Sequence, residues 1–195
     1  MTMLRAALIF TATTLFAGCA LSPQMITVAP KADVEAANIG HNEPVQVIAV
    51  DSREQSAFGT RGGVYKETAL VQPANDVKNA IEDAVRKGLQ NQGFNAFNAG
   101  ADATRLEVRL EQLDYVPEEG SVVNEVTLSL TLLAEASRAD VVHIGTYKSS
   151  VVHDLPLTPT ANRNQTMINE ILSSAITRML TDPKMQAFLA GNDTP

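Results

Sequence analysis

The stretches RLEVRLE (residues 105–111) and VTLSLTL (residues 126–132) decide the fold of this chain. In both, apolar and polar residues alternate, which is the period of a β-strand with one face in the core and the other in water. The turn sequence Pro117-Glu118-Glu119-Gly120 separates them, and the second strand is expected to run to about Ala136. We therefore predict two strands joined by a short connection, which favours antiparallel pairing.

Two further strands follow from the regions around this pair. A turn at residues 137–140 leads to a third strand from Val141 to His153, less cleanly patterned, which would complete an antiparallel meander. Upstream, Val45–Val50 is rich in β-branched residues with apolar side chains on both parities, as expected for a strand covered on both faces. The Gly-rich residues 58–65 predict a loop or a small hairpin.

Two stretches have apolar residues at helical spacing. The first is predicted to begin at a cap at Asn75 or Asp76 and to end at Gly93, and the second to begin near Thr160 or Asn162. Asp182-Pro183 predicts a last short helix. The order is then β-α-β-β-β-α. Because helices with one-sided apolar stripes need a sheet face to cover, we predict an α+β two-layer sandwich, with a mostly antiparallel sheet and both main helices on one face.

The amino terminus has the pattern of an export signal. One positive charge within residues 1–5 precedes an apolar run at residues 6–17, too short for a membrane-spanning helix, which needs about 20 apolar residues. Phe16-Ala17-Gly18-Cys19 resembles the bacterial lipobox, although Leu is more usual than Phe at its first position. The resemblance implies a diacylglyceryl group on the Cys19 sulfur, cleavage before Cys19 and acylation of its amine. Ala20 replaces the Asp typical of inner-membrane retention, which implies the outer membrane.

The alternative for this segment is a plain secretory signal with a cysteine nearby by chance. Cys19 is the single cysteine of 195 residues, so it cannot form an internal disulfide, and lipidation accounts for it. The predicted organisation is a signal peptide at residues 1–18, a lipidated amino terminus and flexible tether at 19–38, and one periplasmic domain at 39–195. In a minor alternative, Met25–Val28 adds an edge strand.

Charge and motif content narrow the function. A net charge of −7 argues against binding of nucleic acid, because that binding depends on Lys and Arg at the phosphates. It also argues against electrostatic attraction to anionic lipid headgroups, so the acyl chains are the expected link to the membrane. The histidines, His41, His143 and His153, have no zinc spacing, and we expect no metal and no cofactor. A Ser-His-Asp triad could assemble from distant positions, but no Gly-x-Ser-x-Gly motif is present. We therefore predict a protein that is not an enzyme.

One polar cluster is a candidate binding site. Its predicted members surround the Gly-rich loop: Asp51, Arg53, Arg61, Gly62, Gly63 and Tyr65. Two Arg forks beside flexible backbone amides could hold a carboxylate or phosphate of a glycan, lipid or peptide. The alternative interpretation is that Arg53 pairs with Asp51 or Glu54 and that the glycines only form turns.

Several pieces of the chain resemble the YajG-type lipoproteins of Gram-negative bacteria. They are Ile39-Gly40, the run at residues 45–53, the run at residues 59–65 and the ending Leu180-Thr181-Asp182. Because members of that family are outer-membrane lipoproteins of uncharacterised role, the resemblance implies a location and no active site.

These observations favour a non-enzymatic binding or assembly module on the periplasmic face of the outer membrane. The membrane, through the acyl chains on Cys19, and an envelope protein or glycan are its expected partners. The alternatives are an envelope hydrolase acting on peptidoglycan or lipid, and a carrier of a lipid or small ligand, which would need a cavity between helices and sheet.

Overall fold

The computed structural model describes residues 22–64, 66–100, 102–118 and 124–192. In these residues the chain forms one seven-stranded sheet and three helices. The elements are β1 (Gln24–Ile26), β2 (Val45–Asp51), β3 (Gly59–Thr60), β4 (Leu70–Pro73), α1 (Val77–Asn91), β5 (Thr104–Glu118), β6 (Asn124–Arg138), β7 (Val141–Leu155), α2 (Ala161–Thr181) and α3 (Pro183–Leu189).

The centre of the sheet is the predicted meander. β5, β6 and β7 are fifteen residues each and pair antiparallel in chain order. A bulge between Leu110 and Gln112 shifts the register of β5 by one residue. Because of the bulge, Leu113 and Tyr115 point into the core. If the alternation had continued unbroken from Leu110, Gln112 would point into the core instead.

The rest of the sheet differs from the prediction. The sheet is mixed rather than mostly antiparallel, because β2 pairs parallel with β5 and β1 pairs parallel with β4. The predicted order β-α-β-β-β-α is also wrong, since four strands precede α1. The strands it omits, β1, β3 and β4, have only three, two and four residues and are too short to show a period.

Both main helices cover one face of the sheet. α1 packs on β2, and α2 packs on β6, β7 and β1. The buried side chains between the layers are almost all aliphatic, and the largest of them are Ile26, Ile81, Leu89, Leu106, Leu110, Leu113, Leu128, Leu130, Leu132, Met167, Ile168 and Leu172. α1 and α2 also contact each other, so the predicted arrangement of two helices on one sheet face is confirmed.

The helix caps follow the predicted residues. Asp76 caps α1 by accepting from the backbone N–H of Asn79, and Gly93 follows the helix with φ 86°. Thr160 caps α2, and Asp182 caps α3 with Pro183 at its first position.

Residues 24–38 are part of the domain rather than a tether. β1 pairs with β4 at one edge of the sheet, and residues 27–33, which we call the strap, run extended along α2. Ile26 and Val28 are buried, and Ala32 and Val34 pack against the core. The domain therefore begins at about Gln24, fifteen residues before the predicted boundary at Ile39. The minor alternative of an edge strand near Met25 describes this segment better.

Candidate functional site

The predicted lipidation site, Cys19, lies outside the described residues, as does the whole of the predicted signal. The first described residue is Ser22, three positions after Cys19 in the sequence. Its carbonyl accepts a hydrogen bond from Nη2 of Arg61. The hydrogen bond between Arg61 and Ser22 therefore fixes where the chain enters the domain.

Asp51 and Arg53 form a closed pair at the end of β2. Arg53 Nη2 donates to Asp51 Oδ2 at 2.8 Å and its Nε donates to Oδ1 at 2.9 Å. Its Nη1 reaches the carbonyl of Ser56 at 3.3 Å, and the guanidinium lies 4.8 Å from the centre of the Phe58 ring. The Arg53 side chain is only 6% exposed. This is the pairing of Arg53 with Asp51 that the alternative interpretation of the sequence predicted, and the guanidinium N–H groups bond to neighbouring residues of the same chain.

Arg61, Gly62 and Gly63 lie beyond β3, and their contacts differ from those of Arg53. The backbone N–H of Arg61 donates to the Ala69 carbonyl, and its side chain holds Ser22. Gly62 and Gly63 have φ of 78° and 79°, so the turn requires glycine. Tyr65 lies outside the described residues. The described members of the predicted cluster thus have two different sets of partners, and whether either set binds a ligand stays a prediction.

The point of entry belongs to one end of the domain, which we call the anchor end: Ser22, Arg61, Val64, Leu157 and Pro159. β1 and β4 run opposite to β5, so Ser22, the chain after β3 and the chain after β7 all lie at the carboxyl end of β5. Gln24 Nε2 joins two of these segments by donating to the Pro159 carbonyl at 3.2 Å. Val64 and Leu157 are 89% and 76% exposed.

A second surface is the free edge of the sheet. Among the described strands, β7 pairs with β6 alone, so its other edge has no strand partner there over fifteen residues. Its solvent face carries three exposed apolar side chains, which we call the β7 patch: Val142, Ile144 and Val152, exposed by 51%, 59% and 56%. Arg178 covers part of the edge, since its Nη2 donates to the Lys148 carbonyl at 2.9 Å.

Sequence reasoning missed this surface. The sequence predicts the strand, but its pattern is irregular because β-branched residues occupy both of its faces. As the last strand of the sheet, β7 exposes the residues of its outer face, and most of its inner-face residues are only partly covered by α2. Only the pairing order shows that it is an edge, and the sequence pattern does not contain that order.

The described residues offer little catalytic chemistry. Within them, no three His, Cys, Asp or Glu side chains are placed to hold a metal ion. The ring of His143 stacks on Phe188, with centroids 5.9 Å apart. Of the helices in the described ranges, none is long and apolar enough to cross a bilayer. A groove of ≈ 620 Å³ lies between the strap and α1, and one of ≈ 600 Å³ lies beside the β5 bulge, whereas the layer between helices and sheet is filled by aliphatic side chains.

Comparison with known proteins matches the chain to a lipoprotein family. A family model described as an uncharacterized lipoprotein covers residues 30–190. This agrees with the resemblance to uncharacterised lipoproteins seen in the sequence. No curated protein matches.

Solved structures match with low identity. A crystal structure described as an uncharacterized protein is 8% identical, covers 82% of this chain and 97% of its own, and has a TM-score of 0.51. A Xanthomonas campestris protein is 14% identical, with coverages of 82% and 94% and a TM-score of 0.48. Rare lipoprotein B from Shewanella oneidensis is 14% identical, with coverages of 69% and 90% and a TM-score of 0.38. The first of these indicates a shared fold and nothing about activity.

Proposed function

Because this chain belongs to the family of uncharacterised lipoproteins, we propose that it is a periplasmic binding or assembly module without enzymatic activity, anchored to the outer membrane through acyl chains on Cys19. Its partner, an extended segment of another envelope protein, pairs as an added strand along β7. The family supports the anchor, and the β7 edge supports the mode of binding.

The anchor needs no help from the rest of the protein. Burial of acyl chain contributes about 0.8 kcal/mol per CH₂, and a single chain gives only reversible attachment. The two or three chains that the lipobox resemblance implies at Cys19 make release negligible. Ala20 favours the outer membrane as the destination. The module is then confined near one membrane, where weak contacts with other confined proteins are enough for binding.

The observation that carries the binding role is the unpaired edge of β7 beside the β7 patch. An unpaired strand offers backbone N–H and C=O groups to another extended chain, and such strand addition is a common mode of peptide recognition. Proteins that have no partner usually shorten such an edge or place charges along it. Here the edge is fifteen residues long, and its outer face carries Val142, Ile144 and Val152 with one lysine, Lys148, between them.

The experiment is photo-crosslinking in cells from p-benzoyl-phenylalanine at Ile144, with Phe97 as the matched control. Phe97 is 49% exposed and precedes β5, at the end of the sheet opposite the anchor end. We expect one adduct of defined mass from Ile144 and none of that mass from Phe97. Val142→Lys, one step along the same face, should abolish the adduct by placing a charge against the partner strand.

Three results would contradict the proposal. They are no adduct from Ile144, the same adduct from Phe97, and an adduct that Val142→Lys leaves unchanged. A separate assay tests the absence of enzymatic activity, in which the unlipidated domain is incubated with purified peptidoglycan and phospholipid. We expect no turnover, and turnover that survives repurification would favour the hydrolase alternative.

A further inference from the structure

Only a short stretch of chain separates the proposed lipid from the folded domain. Cys19 and Ser22 are three residues apart, which even a fully extended chain spans in about 11 Å. A twenty-residue flexible tether would instead reach on the order of 25 Å on average. If Cys19 carries the lipid, Ser22 lies close to the headgroup layer.

The structure shows why the chain after Ser22 is not a spacer. Two residues on, the Gln24 side chain is bound at both ends: its Nε2 donates to the Pro159 carbonyl at 3.2 Å, and its Oε1 accepts from Asn164 Nδ2 at 2.6 Å. Ile26, the last residue of β1, is completely buried. Lifting the domain away from the bilayer would require β1 to leave the sheet.

The strap continues this attachment along α2. The backbone N–H groups of alternate strap residues donate to side chains four residues apart on the helix, with distances of 2.7–2.9 Å, in the pairs Thr27–Gln165, Ala29–Asn169, Lys31–Ser173 and Asp33–Thr177. Two residues of extended chain rise about 6.6 Å and four residues of helix rise about 6 Å, so the two periods match over the whole strap. The entering chain is therefore held along most of α2.

The surface at the point of entry suits the interface of a bilayer. Val64 and Leu157 are the two most exposed large apolar side chains of the described residues, and both belong to the anchor end. Lys66 and Glu67 are exposed beside Val64, and the carboxylates of Glu118, Glu125 and Asp154 are exposed at the same end of the sheet, so the charge there is mixed and gives no net attraction to anionic lipid. The apolar side chains, rather than a net charge, make this end compatible with lipid.

We propose that the anchor end rests directly on the bilayer that holds the lipid, with Val64 and Leu157 in the headgroup region. This inference rests on the proposed lipidation of Cys19. The strands then rise from the membrane, because Ser22 and the carboxyl end of β5 lie at the same end of the sheet. β7 extends about 50 Å at 3.3 Å per residue, so its free edge presents a binding strand that reaches from the membrane into the periplasm.

The test uses the acylated full-length protein in vesicles of phosphatidylethanolamine and phosphatidylglycerol. An environment-sensitive fluorophore is attached at Val64→Cys, at Leu157→Cys or, as control, at Phe97→Cys. The native cysteine does not react, because its sulfur carries the lipid. We expect nitroxide-labelled lipids to quench the first two fluorophores several-fold more than the third, and aqueous iodide to show the reverse order.

Three failures are distinguishable. If the protein lacks acyl mass at Cys19 and does not float with the vesicles, the proposed anchor is wrong and the inference falls with it. If the protein is acylated and floats, but lipid quenching is equal at all three positions, the anchor stands and the membrane-facing end is wrong. Greater quenching at Phe97 than at Val64 would show that the domain lies the other way round.

Discussion

The hydroxyl of Tyr147 donates a hydrogen bond of 2.9 Å to Oδ2 of Asp182. Oδ1 of the same carboxylate accepts from the backbone N–H of Lys184 and so caps α3. Asp182 therefore connects the edge strand β7 to the junction between α2 and α3. The tyrosine ring also covers Gly145, where an added Cβ would lie only 2.5 Å from the hydroxyl oxygen.

The effect of Tyr147→Phe on the free energy of unfolding, measured as a function of pH, tests this connection. Burial, and then the hydrogen bond to the Asp182 carboxylate, raise the pKa of Tyr147 far above its usual value. A raised pKa in the folded state stabilises the protein fully below about pH 10, the pKa of tyrosine in the unfolded chain, and this contribution is lost as the pH rises further. We expect the variant to lose about 1 kcal/mol at pH 7.

Urea unfolding from pH 7 to pH 11 measures this effect. The free energy of unfolding should fall less steeply above pH 10 in Tyr147→Phe than in the unmodified protein. A slope remains in the variant, because burial also raises the pKa of Tyr115. Equal slopes in the two proteins would show that Tyr147 ionises as readily in the folded state as in the unfolded chain.

The sequence predicts the meander and the main helices because their residues have a single period over many positions. Residues 105–110 alternate without a fault, and α1 and α2 bury the predicted apolar stripes. Parallel pairing between β2 and β5 is not visible in this way, because it depends on which strands become neighbours after α1 crosses between them.

The strap was missed although two signals were present. Ile26, Val28, Ala32 and Val34 have spacings that are multiples of two, and all face inward, but Pro23 and Pro30 make the segment look irregular. On α2, the four polar residues that bind the strap recur every fourth position. Each signal is weak alone, and the match between a two-residue and a four-residue period is recognisable only when both are considered together.

The candidate cluster illustrates the same limit. The pairing of Arg53 with Asp51 is local, two residues apart, and was one of the two interpretations of the sequence. The bond from Arg61 to Ser22 spans 39 residues and no local pattern predicts it. Long-range contacts of this kind decide that Arg61 holds the entering chain.

Asn169→Ala tests how firmly the strap is held. Asn169 Oδ1 accepts from the N–H of Ala29 at 2.7 Å and its Nδ2 donates to the Thr27 carbonyl at 2.9 Å. Loss of both bonds should lower the free energy of unfolding by about 1–2 kcal/mol. Amide hydrogen exchange of residues 27–33 should accelerate more than that of β5.

Glu170→Ala is the matched control, since Glu170 is the next residue on α2 and is exposed. We expect the amide hydrogens of the strap to exchange at the same rate in Glu170→Ala as in the unmodified protein. Equal exchange of the strap in the two variants would mean that the side-chain ladder contributes nothing to holding it.

Glu107→Gln tests the ion cluster on the open face of β5. Glu107 accepts hydrogen bonds from Nη2 of Arg105 and of Arg109. These hydrogen bonds lower the pKa of Glu107 below its usual range, and the bond from Arg105 has the larger effect. A lowered pKa in the folded state stabilises the protein above about pH 4.3, the pKa in the unfolded chain, and the contribution is lost as the pH falls further.

When the pH is lowered from 5 to 2.5, the midpoint of urea unfolding should therefore fall less in the variant than in the unmodified protein. At pH 7 we expect a change of at most about 1 kcal/mol, because exposed ion pairs contribute little. A parallel fall of the two midpoints with acid would place the pKa of Glu107 at its ordinary value.

Gly88→Ala tests a close approach between α1 and its neighbours. A Cβ at Gly88 would lie 2.4 Å from Leu180 Cδ1 and 3.0 Å from Ala32 Cβ, so both the Leu180 side chain and the strap would have to shift. Alanine favours helix over glycine by up to about 1 kcal/mol, but overpacking costs about 1–3 kcal/mol, and we expect the clash to dominate. Thermal unfolding should show a lower midpoint. Gly100→Ala is the control, because nothing lies within 4 Å of its added Cβ, and it should change stability by no more than about 0.5 kcal/mol. A Gly88→Ala variant as stable as the control would mean that Leu180 and Ala32 move aside freely and that the contact between α1 and α2 is loosely packed.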